Sequence, residues 1–206
     1  MARLKNTYNL SNITQKILES GFILFNGQTL RDISGIKNKA SFSAVIKRLL
    51  SNKILIRLEK NKYLVKSRFA NPFNLANLLY APSYISFETA LNFYGILSQF
   101  PHELSSATLK KTNNKKIAGQ QYSYIHLKPD LFFGFVKQDG VLIANPEKAL
   151  LDQIYLAQKG WRSINLAEYD FSIIKKGRLK EYYAKYPKIK QTKKMAELIN
   201  KILNLC

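Results

Sequence analysis

The segment NKASFSAVIKRLLSN, residues 38–52, combines two kinds of residue that could do chemistry on a phosphate backbone. Phe42, Val45, Ile46, Leu49 and Leu50 fall at the i, i+3, i+4, i+7, i+8 spacing of a buried helical stripe. Ala40, Ala44, Lys47 and Arg48 occupy the opposite face, with Lys39, Ser41 and Ser43 beside them. Small residues let a helix approach DNA closely, while lysine and arginine reach phosphates or guanine edges. A second basic group follows at once. ILIRLEKNKYLV, residues 54–65, reads as two alternating strands joined at Lys60 and Asn61, which places Arg57, Lys60, Asn61 and Lys62 on a hairpin. Beside a basic helix, such a hairpin continues one phosphate-facing surface.

These residues need elements to hold them. LSNITQKILES predicts a first helix on Leu10, Ile13, Ile17 and Leu18, ended by Gly21, and TLRDISG predicts a short second helix with Thr29 and Asp32 as a capping pair. Three helices followed by a two-stranded hairpin is the order of a winged helix-turn-helix, whose third helix enters the major groove while the wing touches adjacent backbone. Residues 1–68 are therefore assigned to a winged-helix DNA-binding domain. A winged helix used for protein contacts alone is the competing reading.

Residues 69–206 read as a second, mixed α/β domain, so the whole chain is classed α+β. Leu75 to Leu79 predicts a short helix, and Phe87, Ala90, Leu91 and Tyr94 a second one with Ser86 as N-cap. Runs over residues 105–144 predict a small, mainly antiparallel sheet. NPEKALLDQIYLAQKG supplies Asn145 as N-cap, Pro146 at the first helical position, Glu147 in the first turn and Gly160 at the end. A basic helical tail closes the chain. Its Lys175, Lys176, Arg178, Lys180, Lys185, Lys188, Lys190, Lys193 and Lys194 form a second candidate basic surface, for phosphates or for an acidic partner.

Charge agrees with a polyanionic partner. The 206 residues carry a formal net charge of +20, far beyond what solubility requires. It sits at the two ends: residues 1–68 hold 14 Lys/Arg against 3 Asp/Glu and residues 161–206 hold 11 against 4, whereas residues 69–160 hold 8 against 6. The only cysteine is Cys206, which excludes a disulfide framework and a cysteine metal site. The opening residues lack a signal-peptide core and no apolar run approaches a membrane span, so a cytoplasmic protein without membrane contact is expected.

Catalysis finds little support in the sequence. His102 and His126 are isolated, Glu147 and Asp152 are five residues apart on one helix, and no glycine-rich phosphate loop or nucleophile elbow occurs. No catalytic residue, metal or cofactor is assigned. The rival reading is a metal-dependent nucleic-acid enzyme using Asp130, Glu147 and Asp152.

LLSNKILIRLEKNKYLV, PSYISFETALNFYGIL and IANPEKALLDQIYLA, in that order, resemble the AbiEi-type antitoxins and transcriptional regulators of bacterial abortive-infection toxin–antitoxin systems. The similarity runs over roughly residues 10–160. It implies an autorepressor that recognises inverted repeats in its own promoter through Ser41, Ser43, Lys47 and Arg48 and through Lys60 and Lys62. It also implies a C-terminal domain that counters a nucleotidyltransferase-like toxin. The wing departs from the family's Arg-Gly type of tip, having Lys60-Asn61-Lys62 instead. A stand-alone transcription factor of the same architecture, without a toxin, is the alternative.

Overall fold

The computed structural model describes residues 8–68, 71–117, 119–162, 164–186 and 192–205. It divides into two compact units, Met1–Pro72 and Phe73–Cys206.

In the first unit, α1 (Leu10–Glu19) is capped by Asn9, whose side chain accepts from the backbone N–H groups of Ser11 and Asn12. Strand β1 (Leu24–Asn26) leads directly into α2 (Gly27–Ser34). The cap of α2 is Asn26, which accepts the Thr29 N–H at 2.8 Å, so the proposed Thr29–Asp32 pair lies inside the helix. Asparagine competes well for that position because its short amide reaches the exposed N–H groups of a first turn. Helix α3 (Lys39–Ser51) is capped by Asn38. It ends in a turn where Lys53 adopts a left-handed φ of 55° before β2 (Leu55–Glu59) and β3 (Lys62–Val65).

The sheet of this unit has three strands in the order β1-β3-β2, all antiparallel. The expected two-stranded hairpin thus gains a third strand from the FILF segment, with Leu24 opposite Leu64 and Asn26 opposite Lys62. Ile13, Ile17, Phe25, Leu30, Ile36, Val45, Ile46, Leu49, Leu55 and Val65 form one core. Burying the apolar stripe of α3 in this core fixes which face it leaves to solvent.

The second unit opens with α4 (Pro72–Leu79), followed by β4 (Ser83–Ile85) and α5 (Phe87–Phe93). Strands β5 (Leu104–Thr108), β6 (Asn113–Ile117), β7 (Gln120–His126), β8 (Phe135–Gln138) and β9 (Val141–Ala144) complete a sheet ordered β6-β7-β5-β4-β9-β8. Helix α6 (Pro146–Gln158) follows, then α7 (Lys176–Tyr183) and α8 (Thr192–Leu205). The sheet is larger and more mixed than the small antiparallel one expected. Both β4–β9 and β5–β7 are parallel pairs. Two short strands account for this: β4, with Tyr84 and Ile85 fully buried in a run too short to show alternation, sits centrally and pairs parallel with β9, and β6 pairs antiparallel with β7 so that β7 runs parallel to β5.

Candidate functional sites: a basic helix face and a buried polar cluster

Lys39, Ala40, Ser43, Ala44, Lys47 and Arg48 are exposed along α3, and Ser41 is half-buried at its edge. The three acidic residues of the unit are engaged elsewhere: Gln15 donates to Glu19, Gln28 donates to Asp32, and Glu59 pairs with Lys62 at 3.1 Å. Among the described residues no ion pair neutralises Lys39, Lys47 or Arg48. The face combines low bulk with free positive charge. Arg31 of α2 packs against the stripe side of α3, its guanidinium lying 4.9 Å from the centre of the Phe42 ring.

The hairpin residues separate into two roles. Lys60 is exposed at the tip, and Lys62 is tethered to Glu59 across a bulge in the β2–β3 register. Arg57 is exposed in the body of β2, opposite Tyr63, away from the tip. Asn61 holds the turn together. Its backbone has a left-handed φ of 64°, which asparagine tolerates, and its side-chain oxygen accepts the Gly27 N–H at 3.0 Å. A Cβ on Gly27 would collide with that oxygen, so the bond between the hairpin tip and the start of α2 depends on the glycine. Asn61→Ala is expected to destabilise the first unit by about 2 kcal/mol, from the lost hydrogen bond and the left-handed alanine. Asn61→Gly should cost about half as much. Hydrogen exchange at the β2–β3 amides measures both.

In the second unit Lys175, Lys176, Lys180 and Lys194 are exposed. Arg178 is instead drawn to Glu147 at 3.6 Å, and the Lys185 ammonium lies 4.7 Å from the Phe133 ring centre. Lys188 and Lys190 lie outside the described residues, as does the side chain of Lys193.

The densest polar arrangement lies where a helix start alone was expected. Lys148 and Asp152, one turn apart on α6, are both wholly buried and paired. Asp152 also accepts from the hydroxyls of Tyr84 (3.1 Å), Ser86 (2.8 Å) and Tyr186 (2.8 Å). Lys148 additionally donates to the Tyr186 hydroxyl at 2.8 Å and lies 4.8 Å from the Phe133 ring centre. Ser86 heads α5 as predicted, but its hydroxyl serves Asp152 and makes no cap bond. Likewise Asn145 makes no cap bond on α6 and donates to the Tyr182 hydroxyl. The cluster pins α6, α7 and the β4–α5 junction together.

Burial pushes the Tyr84 and Tyr186 hydroxyls well above the ordinary tyrosine value, and the Asp152 charge adds to it. Both stay neutral in the folded chain when unfolded tyrosines ionise, near pH 10. Their stabilisation is complete below that pH and is lost above it, by about 1.4 kcal/mol per pH unit for each tyrosine. Burial pushes the Lys148 ammonium down, outweighing the Asp152 charge. Its opposing gain with pH ends near the free lysine value of about 10.4. Stability of the second unit is therefore expected to fall steeply above pH ~10.5, and Tyr186→Phe should lessen that fall by about 1.4 kcal/mol per pH unit, the share of one tyrosine. Urea titrations on either side of this pH check it.

A second polar group lines a cavity of about 460 Å³. Arg162 bridges Glu88 at 3.0 Å and Glu103 at 2.9 Å, with His102, Gln121 and Glu168 around it. Tyr169 on its wall is pushed up to about 12, by burial first and then by Glu88.

Among the described residues no group of three His, Cys, Asp or Glu side chains could hold a metal ion. Two of the three carboxylates of the rival enzyme reading have partners in the scaffold. Glu147 accepts the Lys175 N–H at 2.9 Å and faces Arg178, Asp152 belongs to the buried cluster, and Asp130 is exposed in a 3-10 turn at Pro129–Leu131. Among the described residues no helix is long and apolar enough to cross a membrane.

The chain matches no protein-family model and no curated protein.

Proposed function

We propose that the chain is a double-stranded DNA-binding transcriptional repressor, with residues 10–65 acting as a winged helix-turn-helix. The observation that carries this reading is the exposed α3 face of Lys39, Ala40, Ser43, Ala44, Lys47 and Arg48, which bears no ion pair among the described residues. A helix with small side chains and unneutralised cations fits the major groove. Lys60 at the hairpin tip would meet the neighbouring backbone. Asn61 would have only its amide NH2 group to offer DNA, because its side-chain oxygen accepts the Gly27 N–H.

The resemblance of the three motifs to AbiEi-type regulators extends the proposal to autorepression at inverted repeats and to an antitoxin role against a nucleotidyltransferase-like toxin. The charge distribution supports the DNA-binding part. The antitoxin part rests on the resemblance alone. The proposal assigns no catalytic role, since Glu147 and Asp152, two of the three carboxylates the enzyme reading needs, are engaged in the scaffold.

A reporter gene driven by the DNA upstream of the chain's own gene tests the repressor reading. Expression of the intact chain should silence it, and a Lys47→Ala/Arg48→Ala chain should not. Unchanged reporter output with the intact chain would reject it. Co-expression with a neighbouring nucleotidyltransferase-like gene tests the antitoxin part through relief of growth arrest.

A further inference from the structure

We infer that the second unit carries a phosphodiester-binding patch of its own, built on the β5–β6 turn from Lys110, Lys111, Lys115, His126 and Lys128. The sequence of this turn looks like an ordinary polar loop, and its chemistry emerges from the sheet. Parallel pairing of β5 and β7, with Thr108 opposite His126, brings the ends of both strands to the same edge. Lys110 and Lys111 follow one strand there and Lys128 follows the other. The antiparallel β6–β7 pair then places Lys115 opposite Tyr122. No residue from 104 to 129 is acidic.

The turn is held on several sides. The Leu127 N–H donates to the Thr108 carbonyl at 2.9 Å, and the Thr108 hydroxyl donates to the Pro82 carbonyl at 2.8 Å. The Tyr80 hydroxyl donates to the Lys111 carbonyl at 3.0 Å, and the His126 ring nitrogen Nδ1 lies 3.1 Å from the Lys110 carbonyl. The Lys110 and Lys115 ammonium groups sit 5.3 and 5.2 Å from the centre of the Tyr80 ring. Their positive charges are thus fixed in place before any ligand arrives, which lowers the entropic cost of binding a polyanion.

The Tyr80 ring also decides what kind of contact this is. Lys110, Lys115 and Tyr124 already pack around it, so it offers no free platform for a base. The patch therefore reads the backbone and is indifferent to sequence. It does not depend on the α3 reading, since it concerns affinity for any strand and not selectivity for one.

The test uses the full chain carrying Lys47→Ala/Arg48→Ala, a scrambled DNA duplex, a single-stranded oligonucleotide and poly-glutamate as probes, and binding measured across a range of salt. Removing Lys110, Lys111 and Lys128 as alanines is expected to reduce the slope of log K against log salt by about 2 to 3 on the duplex, and by somewhat less on the single strand. Removing Lys137, Lys159 and Lys201, which are also exposed in the second unit, changes the net charge equally and should alter the slope by less than about 1. Equal losses from the two triples would overturn the inference, because the affinity would then be diffuse charge. Lys110→Gln/Lys111→Gln/Lys128→Gln keeps the side-chain stems. If it left the slope unchanged, the alanine effect would be lost packing and the inference would fall. Binding of poly-glutamate equal to that of the oligonucleotide would also overturn it. Promoter selectivity is read separately, so its failure leaves this outcome legible.

Discussion

Asp152→Ala is expected to destabilise the second unit by about 3 to 5 kcal/mol, followed by urea unfolding with the fluorescence of Trp161, the only tryptophan in the chain. The substitution strands the Lys148 ammonium without its counter-ion at a position with no solvent exposure. It also takes the acceptor from the hydroxyls of Tyr84, Ser86 and Tyr186. Each buried polar group left unpaired costs about 1 to 3 kcal/mol, and an unpaired charge costs more. Replacing both partners, as Lys148→Met with Asp152→Leu, should recover most of the loss, because the buried charge disappears together with its partner. A single substitution that matched the double one would mean that the pair is not ionised in the folded chain.

Lys47→Ala/Arg48→Ala is expected to weaken binding to the upstream DNA by about a thousandfold while leaving stability within about 0.5 kcal/mol of the parent. Two base or phosphate contacts at about 1 to 3 kcal/mol each account for that range. Both side chains are exposed and carry no packing of the core formed by Val45, Ile46 and Leu49. Gel shifts with the two proteins side by side measure the loss, and a urea titration checks that the fold is retained.

The first unit was largely legible in the sequence because its helices are amphipathic and well punctuated. Val45, Ile46 and Leu49 turned inward as their spacing required, and Gly35 takes the left-handed φ of 68° that ends α2. β1 was missed because three residues cannot show alternation, and its pairing with β3 depends on chain folding rather than on local pattern. The same limit hid β4 and with it the mixed order of the larger sheet.

The buried cluster had a signal that was read too narrowly. Lys148 and Asp152 stand four apart in PEKALLDQIYLA, a spacing that places opposite charges on one helical face. A surface pair would look identical in sequence. What buries this one is a set of aromatic side chains around the ammonium, Tyr84, Phe133 and Tyr186, the last from a segment more than thirty residues away. The structural part that Asn61 plays was hidden for a related reason. Its composition suggests a polar tip, but only the third strand reveals that Gly27 lies within its reach.

A salt-titrated gel shift comparing the DNA upstream of the gene with a scrambled duplex of equal length tests the central claim most directly. The account predicts tighter binding to the upstream DNA at every salt concentration, by at least about a thousandfold near physiological salt, with both affinities falling linearly in log K against log salt. Equal affinity for the two duplexes across the titration would contradict it, because the α3 face would then be reading no sequence.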